Sequence, residues 1–467
     1  MRYEEYRPTI YDWLPEIPVH WKGKTIRSIT TVSSEKRGDR EAVLLSVYRE
    51  YGVVIKSSRN DNHNVESEDL SNYKMVYAGD LVMNKMKMWQ GSLGVSKYDG
   101  VVSPAYIVCH ITDDSMNRHY LHMLLRSPLF KTYYNRVSYG VRVGQWDMRY
   151  ADFKCLEIPV PPRTEQDQIV RYLDWQVSKI NKLITAKKHE ISVLEEERQA
   201  LIDTLVLRSP YDTQMKSIKL SWDASIPSTW SSCKFNQVFN FGKGLAITKA
   251  NLLPSGIPVI SYGQVHSKTN KGTGLNDSLI RYVSDKYVSS SPNSLVHEGD
   301  FIFADTSEDF LGVGNCVYVD CDNTLLAGYH TIIAHPKDKT KRRFLAYLFL
   351  SSAWRNSLRK QVNGVKVYSI TQRMLKNTCV ILPPQEEQAE IVKVLDTQCT
   401  RIDALTNAIR TEIENLQECR TRIISDVVTG QIDVRGIEVP DFEMVEETDE
   451  PTDEEDVSDE AEDQEEE

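Results

Sequence analysis

Apolar residues recur with a 4-3-4-3 spacing along two stretches of the chain, each of more than 40 residues without Pro or Gly. A proline pair precedes each stretch, at Pro161-Pro162 and Pro383-Pro384, and proline is tolerated where a helix begins but not inside it. Sixteen of the twenty positions that the spacing selects are apolar, which is typical of a coiled-coil seam. The pattern predicts two long helices, within residues 161–210 and 381–430, that pair with each other.

Two seam positions are basic at the same place in both stretches, Arg198 and Arg420. One interpretation is a polar pair that fixes the register of the helices. The other is that each side chain extends from the edge of the seam to water. The sequence leaves both open.

The segments before the two stretches, residues 1–160 and 211–380, have a different pattern. Short runs rich in β-branched residues, such as 42–48 and 257–262, are separated by Gly, Asn, Asp and Ser, which predicts strands joined by turns. A helix is predicted within residues 118–134 and another within 342–359. Each segment therefore reads as an α+β globule.

The chain repeats itself. At a fixed offset of 222 residues, 19 of the 46 positions from Pro161 to Val206 are identical. Matches extend upstream with drifting offsets, as loop insertions would produce: Trp13, Ile17-Pro18 and Trp21 recur as Trp222, Ile226-Pro227 and Trp230, Gly79-Asp80 as Gly299-Asp300, and Gly140 as Gly364. The fold class predicted is α+β, with two similar globules, each followed by a long helix. An antiparallel pairing of the helices, with pseudo-twofold symmetry, would keep the globules apart.

Charge divides sharply along the chain. The net charge is −11, but residues 438–467 hold 18 acidic residues and no Lys or Arg, and without them the rest carries 56 basic against 49 acidic residues. Such a segment lacks the apolar surface to fold, so 438–467 is predicted to be a disordered tail. It serves either solubility or as a nucleic-acid mimic. The globule 211–380 has 20 basic and 12 acidic residues, so positive charge lies on the globules.

Motifs of catalysis are missing from the sequence. It holds no phosphate-binding G-x-x-x-x-G-K-[ST] loop, no G-x-S-x-G elbow and no H-E-x-x-H motif. Its eight cysteines form no C-x-x-C pair, which favours free thiols and no metal site. No apolar run approaches the ~20 residues of a membrane span. The sequence thus predicts a cytoplasmic, non-catalytic binding protein.

These features together resemble the DNA-specificity (S) subunit of type I restriction-modification systems. The strongest carriers are the two P-P-x-x-E-Q-x-x-I-V helix starts at Pro161 and Pro383, with the Ile-Pro-x-x-Trp and Gly-Asp matches in support. The resemblance covers about 1–437 and implies a sequence-specific recognition subunit, not an enzyme. It would direct two modification (methyltransferase) subunits and restriction (translocase and nuclease) subunits to a split double-stranded DNA target. Adenosylmethionine, ATP and Mg²⁺ would belong to those partners, and this chain would hold no cofactor. A coiled-coil scaffold and a stand-alone nuclease or methyltransferase are the alternatives.

DNA contacts are expected in loops that differ between the copies or follow matching glycines. Cations suit phosphates, and side chains that hydrogen-bond suit base edges. The candidates are Arg49, Lys85, Lys87, Arg142, Gln145, Lys243, Gln264, His266 and Lys366. Trp89, beside Lys87, is either a core residue or a base-stacking one.

Helix pairing and subunit docking are expected at the motif and seam positions of the two long helices. In the first helix these are Glu165, Gln166, Ile169, Ile180, Ile191 and Leu194, and in the second Glu387, Gln388, Ile391, Ile402, Ile413 and Leu416.

Overall fold

The structure, a computed structural model, describes residues 2–49, 51–58, 69–140, 146–209, 211, 214–219, 223–338, 343–364 and 367–446. It divides into two compact units: unit 1 comprises Met1–Lys188 and Arg410–Glu467, and unit 2 comprises His189–Ile409. Each unit contains one half of each long helix. The helices are therefore parts of the two units and not separate spacer domains.

The strands of unit 1 are β1 (Tyr6–Tyr11), β2 (Leu14–Pro18), β3 (Lys22–Thr25), β4 (Thr30–Ser33), β5 (Leu45–Tyr48), β6 (Gly52–Ile55), β7 (Lys74–Val76), β8 (Leu81–Asn84), β9 (Leu93–Val95), β10 (Gly100–Val102), β11 (Tyr106–Ile111) and β12 (Glu157–Val160). Its helices are α1 (Ile26–Ile29), α2 (Arg118–Leu125), α3 (Pro128–Val137), α4 (Tyr150–Phe153) and the first half of α5 (Arg163–Leu205).

The strands of unit 2 are β13 (Met215–Lys219), β14 (Asp223–Pro227), β15 (Ser231–Lys234), β16 (Phe239–Lys243), β17 (Ile257–Ile260), β18 (Arg281–Val283), β19 (Leu295–Val296), β20 (Phe301–Ala304), β21 (Thr306–Ser307), β22 (Cys316–Tyr318), β23 (Leu325–Ala327), β24 (Thr331–Pro336), β25 (Tyr368–Ser369) and β26 (Cys379–Leu382). Its helices are α6 (Phe235–Val238), α7 (Tyr262–Val265), α8 (Lys286–Ser290), α9 (Arg343–Leu350), α10 (Ser352–Arg359) and α11 (Gln372–Asn377), with the first half of α12 (Gln385–Val428).

The two units share one sheet topology. An antiparallel four-stranded sheet has the order β4-β11-β8-β9 in unit 1 and β16-β24-β20-β22 in unit 2. In each unit, the strand that follows the repeated tryptophan pairs with the strand that precedes the proline pair. These pairs are β3 with β12 in unit 1 and β15 with β26 in unit 2. The internal repeat of the sequence is thus a repeat of structure.

Where the sequence predicts one helix in each globule, the structure has two consecutive helices. Pro128 opens α3, and Ser127 before it has an extended backbone with ψ of 149°, because proline disfavours a helical residue ahead of it. In unit 2, Ser351 ends α9 and caps α10 by accepting a hydrogen bond from the Trp354 N–H. The continuous helices predicted within 118–134 and 342–359 are therefore wrong at these breaks.

The segment that follows α12 packs against unit 1. Gly430, with φ of +77°, ends the helix, and Val434 and Val439 are buried in the same core as Leu173. Asn181 of α5 donates a hydrogen bond to the Val445 carbonyl at 2.9 Å. The predicted start of a disordered tail at 438 is wrong, because residues 438–446 carry apolar side chains that pack beside α5. Residues 447–467 lie outside the described part.

Candidate functional site

The repeated motif residues hold the start of each long helix against its own unit. The Trp21 indole donates to the Glu165 carboxylate at 3.0 Å, and Trp230 donates to Glu387 at 2.9 Å. The amide group of the next residue turns back to the first proline of the pair: Gln166 donates to the Pro161 carbonyl at 2.9 Å, and Gln388 donates to that of Pro383 at 2.8 Å. The motif therefore fixes the angle at which a globule meets its helix.

These contacts place Glu165, Gln166 and Glu387 in the interior, where their side chains are buried. In unit 1, Glu165 also accepts from Tyr3 at 2.6 Å and pairs with His20 at 2.8 Å. Burial, and then the bond to Glu165, raise the pKa of Tyr3 well above its usual range. The structure shows an internal role for these acidic and amide side chains, and their docking of another subunit stays a prediction.

The repeated Gly-Asp pair forms the turn that leads into a central strand of each sheet, β8 in unit 1 and β20 in unit 2. Gly79 and Gly299 have the same φ of +97°, a conformation that favours glycine. Each following aspartate is buried and meets a histidine of the neighbouring strand, Asp80 with His110 at 2.7 Å and Asp300 with His335 at 2.8 Å. Since this turn lies at the start of β8 and of β20, the loop that differs between the units follows the other end of each strand.

That loop in unit 1 joins β8 to β9 and contains the predicted phosphate-binding lysines. Lys85 forms an ion pair with Asp147 at 3.2 Å, with its side chain 40% exposed, and Lys87 is exposed. Trp89 is half-buried and meets Trp146 edge to face at 5.2 Å, so this pair of rings packs within the protein. The loop offers charge at the surface without a catalytic arrangement.

The other candidates of unit 1 are more scattered. Arg49 is exposed, and its carbonyl accepts a hydrogen bond from Arg126 at 2.8 Å. Arg142 and Gln145 lie outside the described residues. Their contact with DNA therefore stays a prediction from the sequence.

In unit 2 the structure separates the candidates. Lys243 is exposed on β16, while the Gln264 side chain accepts from the Ser261 N–H and so caps α7. His266 uses both ring nitrogens, with the Thr306 carbonyl at 2.8 Å and the Asn315 amide at 3.1 Å. A base contact by His266 would require it to give up these bonds, so its role here is bracing. Lys366 lies outside the described residues.

The seam positions of the long helices face inward. Of the twenty, every one is buried or half-buried. Ile169, Ile180, Ile391 and Ile402 are buried, and Ile191, Leu194, Ile413 and Leu416 are half-buried.

Polar contacts within the units join the two helices. In unit 1, Arg420 donates to Asn181 at 2.9 Å and Lys187 pairs with Glu412 at 2.9 Å, so the two helical segments run in opposite directions there. In unit 2, Arg198 lies 3.6 Å from Asp403. Each seam arginine thus meets a polar residue of the opposite helix, and the two do not pair with each other.

Two features of the surface were missed from the sequence. The loops after β8 and β20 expose large apolar side chains, Met86 in unit 1 and Phe310 and Leu311 in unit 2. The exposed Lys85–Met86–Lys87 triplet could have been read as such a signal, whereas Phe310-Leu311 has the same pattern as a buried strand.

Searches of the described residues for two other kinds of site were negative. Within the described ranges, no cluster of His, Cys, Asp and Glu is arranged to hold a metal ion. The helices in this part of the chain also lack the length and apolar character needed to cross a membrane.

Comparison with known proteins identifies the relatives of this chain. Residues 227–415 match the family model of the type I restriction modification DNA specificity domain. The chain is 22% identical over 382 residues to the type I restriction enzyme MjaVIII specificity subunit of Methanocaldococcus jannaschii, covering 79% of this chain and 84% of that one. It is 21% identical over 315 residues to the EcoKI specificity subunit of Escherichia coli, covering 66% and 64%.

A solved structure has the same fold. A chain from a study of complex assembly and conformational transition of the type I R-M system aligns with a TM-score of 0.62 at 16% identity, covering 89% of this chain and 99% of that one. The mixed α and β fold predicted from the sequence is confirmed.

These matches confirm the resemblance to the DNA-specificity subunits of type I restriction-modification systems that the sequence predicted. Specificity subunits of this class recognise DNA and are not themselves catalytic.

Proposed function

We propose that this chain recognises a bipartite DNA sequence, one half-site by each globule, and directs methyltransferase and restriction subunits to it. The observation that carries the proposal is the repeated framework: both units have the same four-stranded sheet order and the same Trp–Glu contact, while the loops between the framework strands differ. A shared framework with different loops gives two readers of similar shape and separate sequence preference.

Charge supports a DNA-facing role for the globules. Residues 211–380 carry 20 basic and 12 acidic residues, and 1–160 carry 22 and 19. Phosphate neutralisation supplies much of DNA affinity. Lys85 is half-exposed, and Lys87 and Lys243 are exposed. We assign phosphate contacts to these three lysines. Further candidates for DNA contact are Arg49, Arg142, Gln145, Gln264 and Lys366.

Spacing between the half-sites would be set by the paired helices. We propose an antiparallel coiled coil with pseudo-twofold symmetry, supported by the opposite direction of the helical segments in unit 1 and the inward-facing seam. The exposed faces of the helices, which include Leu183 and Leu405, would dock two methyltransferase subunits. Those subunits would supply adenosylmethionine, and restriction subunits would supply ATP and Mg²⁺ chemistry, in the cytoplasm.

An exchange of one globule tests the proposal. The strand pairs β3–β12 and β15–β26 bring the two ends of each segment to be exchanged side by side. Residues 26–156 are replaced by the equivalent segment of a relative, and in a matched variant residues 235–378 are replaced. Methylated adenines are then mapped across a genome in cells that supply the methyltransferase subunit.

We expect each exchange to change a different half of the methylated sequence and leave the other half and the spacer unchanged. A simultaneous change of both halves would contradict independent reading. Methylation without any sequence preference would contradict the recognition role altogether.

A further inference from the structure

Both units expose large apolar side chains from the same loop of the repeated framework. In unit 1 the loop from β8 to β9 presents Met86, which is 59% exposed. In unit 2 the loop from β20 to β22 presents Phe310 and Leu311, which are 45% and 71% exposed. Contiguous apolar surface that water covers commonly marks a binding site. Its recurrence at equivalent places argues against chance exposure.

The loop of unit 2 is held rigid from within. Three hydrogen bonds lie within the loop: Ser307 donates to the Asp309 carbonyl at 2.7 Å, the Gly312 N–H donates to the Asp309 carboxylate at 2.5 Å, and the Asn315 N–H donates to the Gly312 carbonyl at 3.0 Å. A Cβ at Gly312 would lie 2.6 Å from the Ser307 hydroxyl, so the space beside this glycine is too small for a side chain.

Neighbouring elements brace the apolar tip. Arg359 of α10 donates to the Leu311 carbonyl, and the Phe310 ring lies 5.4 Å from that of Tyr368. The side chain of Leu311 is nevertheless directed to solvent. A side chain presented by a rigid loop loses little conformational entropy on binding, which suits a recognition contact.

The chemistry of the loop excludes a phosphate contact. Residues 304–315 contain three acidic residues and no Lys or Arg, so the DNA backbone would repel them. Base edges are different, because the major groove presents the thymine 5-methyl group to apolar side chains and the cytosine amine to carboxylates. The minor groove offers no methyl group. An acidic loop with an apolar tip therefore matches the major-groove edge of pyrimidines.

We infer that Phe310 and Leu311 are specificity-determining residues that pack against a thymine methyl group in the half-site read by unit 2. Met86, between the two lysines of the unit 1 loop, makes the equivalent contact in the other half-site. This inference rests on the proposed function and adds to it the base chemistry that each loop reads.

The test removes the methyl group from either side of the contact. The complex of the full chain with its methyltransferase subunit is titrated with target duplexes in which each thymine is replaced in turn by uracil, which lacks the 5-methyl group. The same set is measured with Phe310→Ala, Leu311→Ala and Met86→Ala. Leu253→Ala, which truncates an exposed leucine of unit 2 outside this loop, is the matched control.

We expect uracil at one or two positions of the unit 2 half-site to weaken binding about fourfold per methyl group. Phe310→Ala or Leu311→Ala should remove that difference, and Met86→Ala should do so in the other half-site only. Leu253→Ala should leave every difference in place.

Three outcomes would overturn the inference while the complex still prefers its target to a scrambled duplex. One is that the half-site contains no thymine. Another is that the loop variants keep the sensitivity to uracil. The third is loss of the methyltransferase subunit from the loop variants, which would make the tip a protein contact. Absence of any preference for the target would instead contradict the proposed function.

Discussion

His122 shows how a single side chain makes unit 1 sensitive to pH. The residue is half-buried, and its Nδ1 accepts a hydrogen bond from the Val95 N–H at 3.1 Å. Burial, and then the nearby Arg126 charge, lower the pKa of His122 to about 3. Since an unfolded chain would protonate this histidine near pH 6.5, the unfolded state binds more protons between about pH 6.5 and 3. Stability from this site is complete above pH 6.5 and falls as the pH drops below it.

We predict that the free energy of unfolding of unit 1 falls by about 1 kcal/mol more in the wild type than in His122→Asn between pH 6.5 and 5.5. Asparagine keeps an acceptor for the Val95 N–H but does not titrate. Hydrogen exchange of peptides that contain β9 measures this at each pH, with His189→Asn, an exposed histidine of α5, as the control. Parallel pH curves for wild type and His122→Asn would contradict the prediction.

At the level of single residues, the sequence indicated which positions are important more reliably than it indicated their roles. Trp21, Glu165, Gly79 and Asp80 were singled out because they repeat, and the structure shows why they repeat, since the same internal contacts recur in unit 2. The partner of each side chain could not be read from spacing. Glu165 and Trp21 are separated by 144 residues, and only the pairing of β3 with β12 brings them together.

Among the elements, the segment after α12 shows most clearly where composition misleads. Its acidic residues predicted disorder from 438, yet Gln168 of α5 donates to the Ile437 carbonyl at 2.7 Å and Val439 is buried beside Tyr172. A few apolar residues among many acids suffice when a helix face is available to cover them. The breaks at Ser127 and Ser351 have local causes inside a continuous apolar pattern: Pro128 begins α3, and Ser351 caps α10.

Two truncations separate the packed part of this segment from the rest. Ending the chain after Val434 should destabilise unit 1 by about 2 kcal/mol, since it removes the buried Val439 and the backbone partners of Gln168 and Asn181. Ending it after Glu446 should leave stability unchanged. Hydrogen exchange of the first half of α5 distinguishes the two. Equal protection in both truncated chains would mean that residues 435–446 add nothing to the core.

At the scale of the whole molecule, each globule packs against the ends of the long helices and is held rigidly to them. Ile202 of α5 and Val206, which follows the end of that helix, share a core with Leu395 of α12 and the sheet of unit 2. A change in the spacing between the half-sites therefore requires a change in the helices, at the boundary between the units. Four residues turn an α-helix by about 400°, a net rotation of about 40°, which is close to the rotation of one DNA base pair at about 10 base pairs per turn.

We predict that inserting four residues after Lys188 and four after Ile409 lengthens the spacer by one base pair and leaves both half-sites unchanged. Insertion in both helices keeps opposite seam positions aligned, whereas insertion in one shifts them. The single insertions should therefore weaken assembly with the methyltransferase subunit. Mapping of methylated adenines gives the outcome, and a double insertion with the original spacer would show that the helices do not set it.

The repeat and the seam made the architecture predictable, because both are properties of spacing. The division into units was not, since nothing in the sequence says that unit 1 draws on both ends of the chain. The apolar loop tips were equally hidden. Phe310-Leu311 differs from a buried pair only in what surrounds it, and that depends on the loop contacts of Asp309 and Arg359.

The discontinuity of unit 1 has a consequence for the order in which the protein forms on the ribosome. Lys188 and Arg410, which bound its two pieces, are separated by the whole of unit 2. At roughly 5–20 residues per second, the ribosome needs roughly 10–45 s to cross that distance. Through this interval Leu173 and Trp21 lack the late-synthesised Val427, Val428 and Val434 that share their core. Unit 2 can fold first, so the first domain to be translated is the last to be completed. For that time a nascent chain leaves exposed the part of the core that these valines cover.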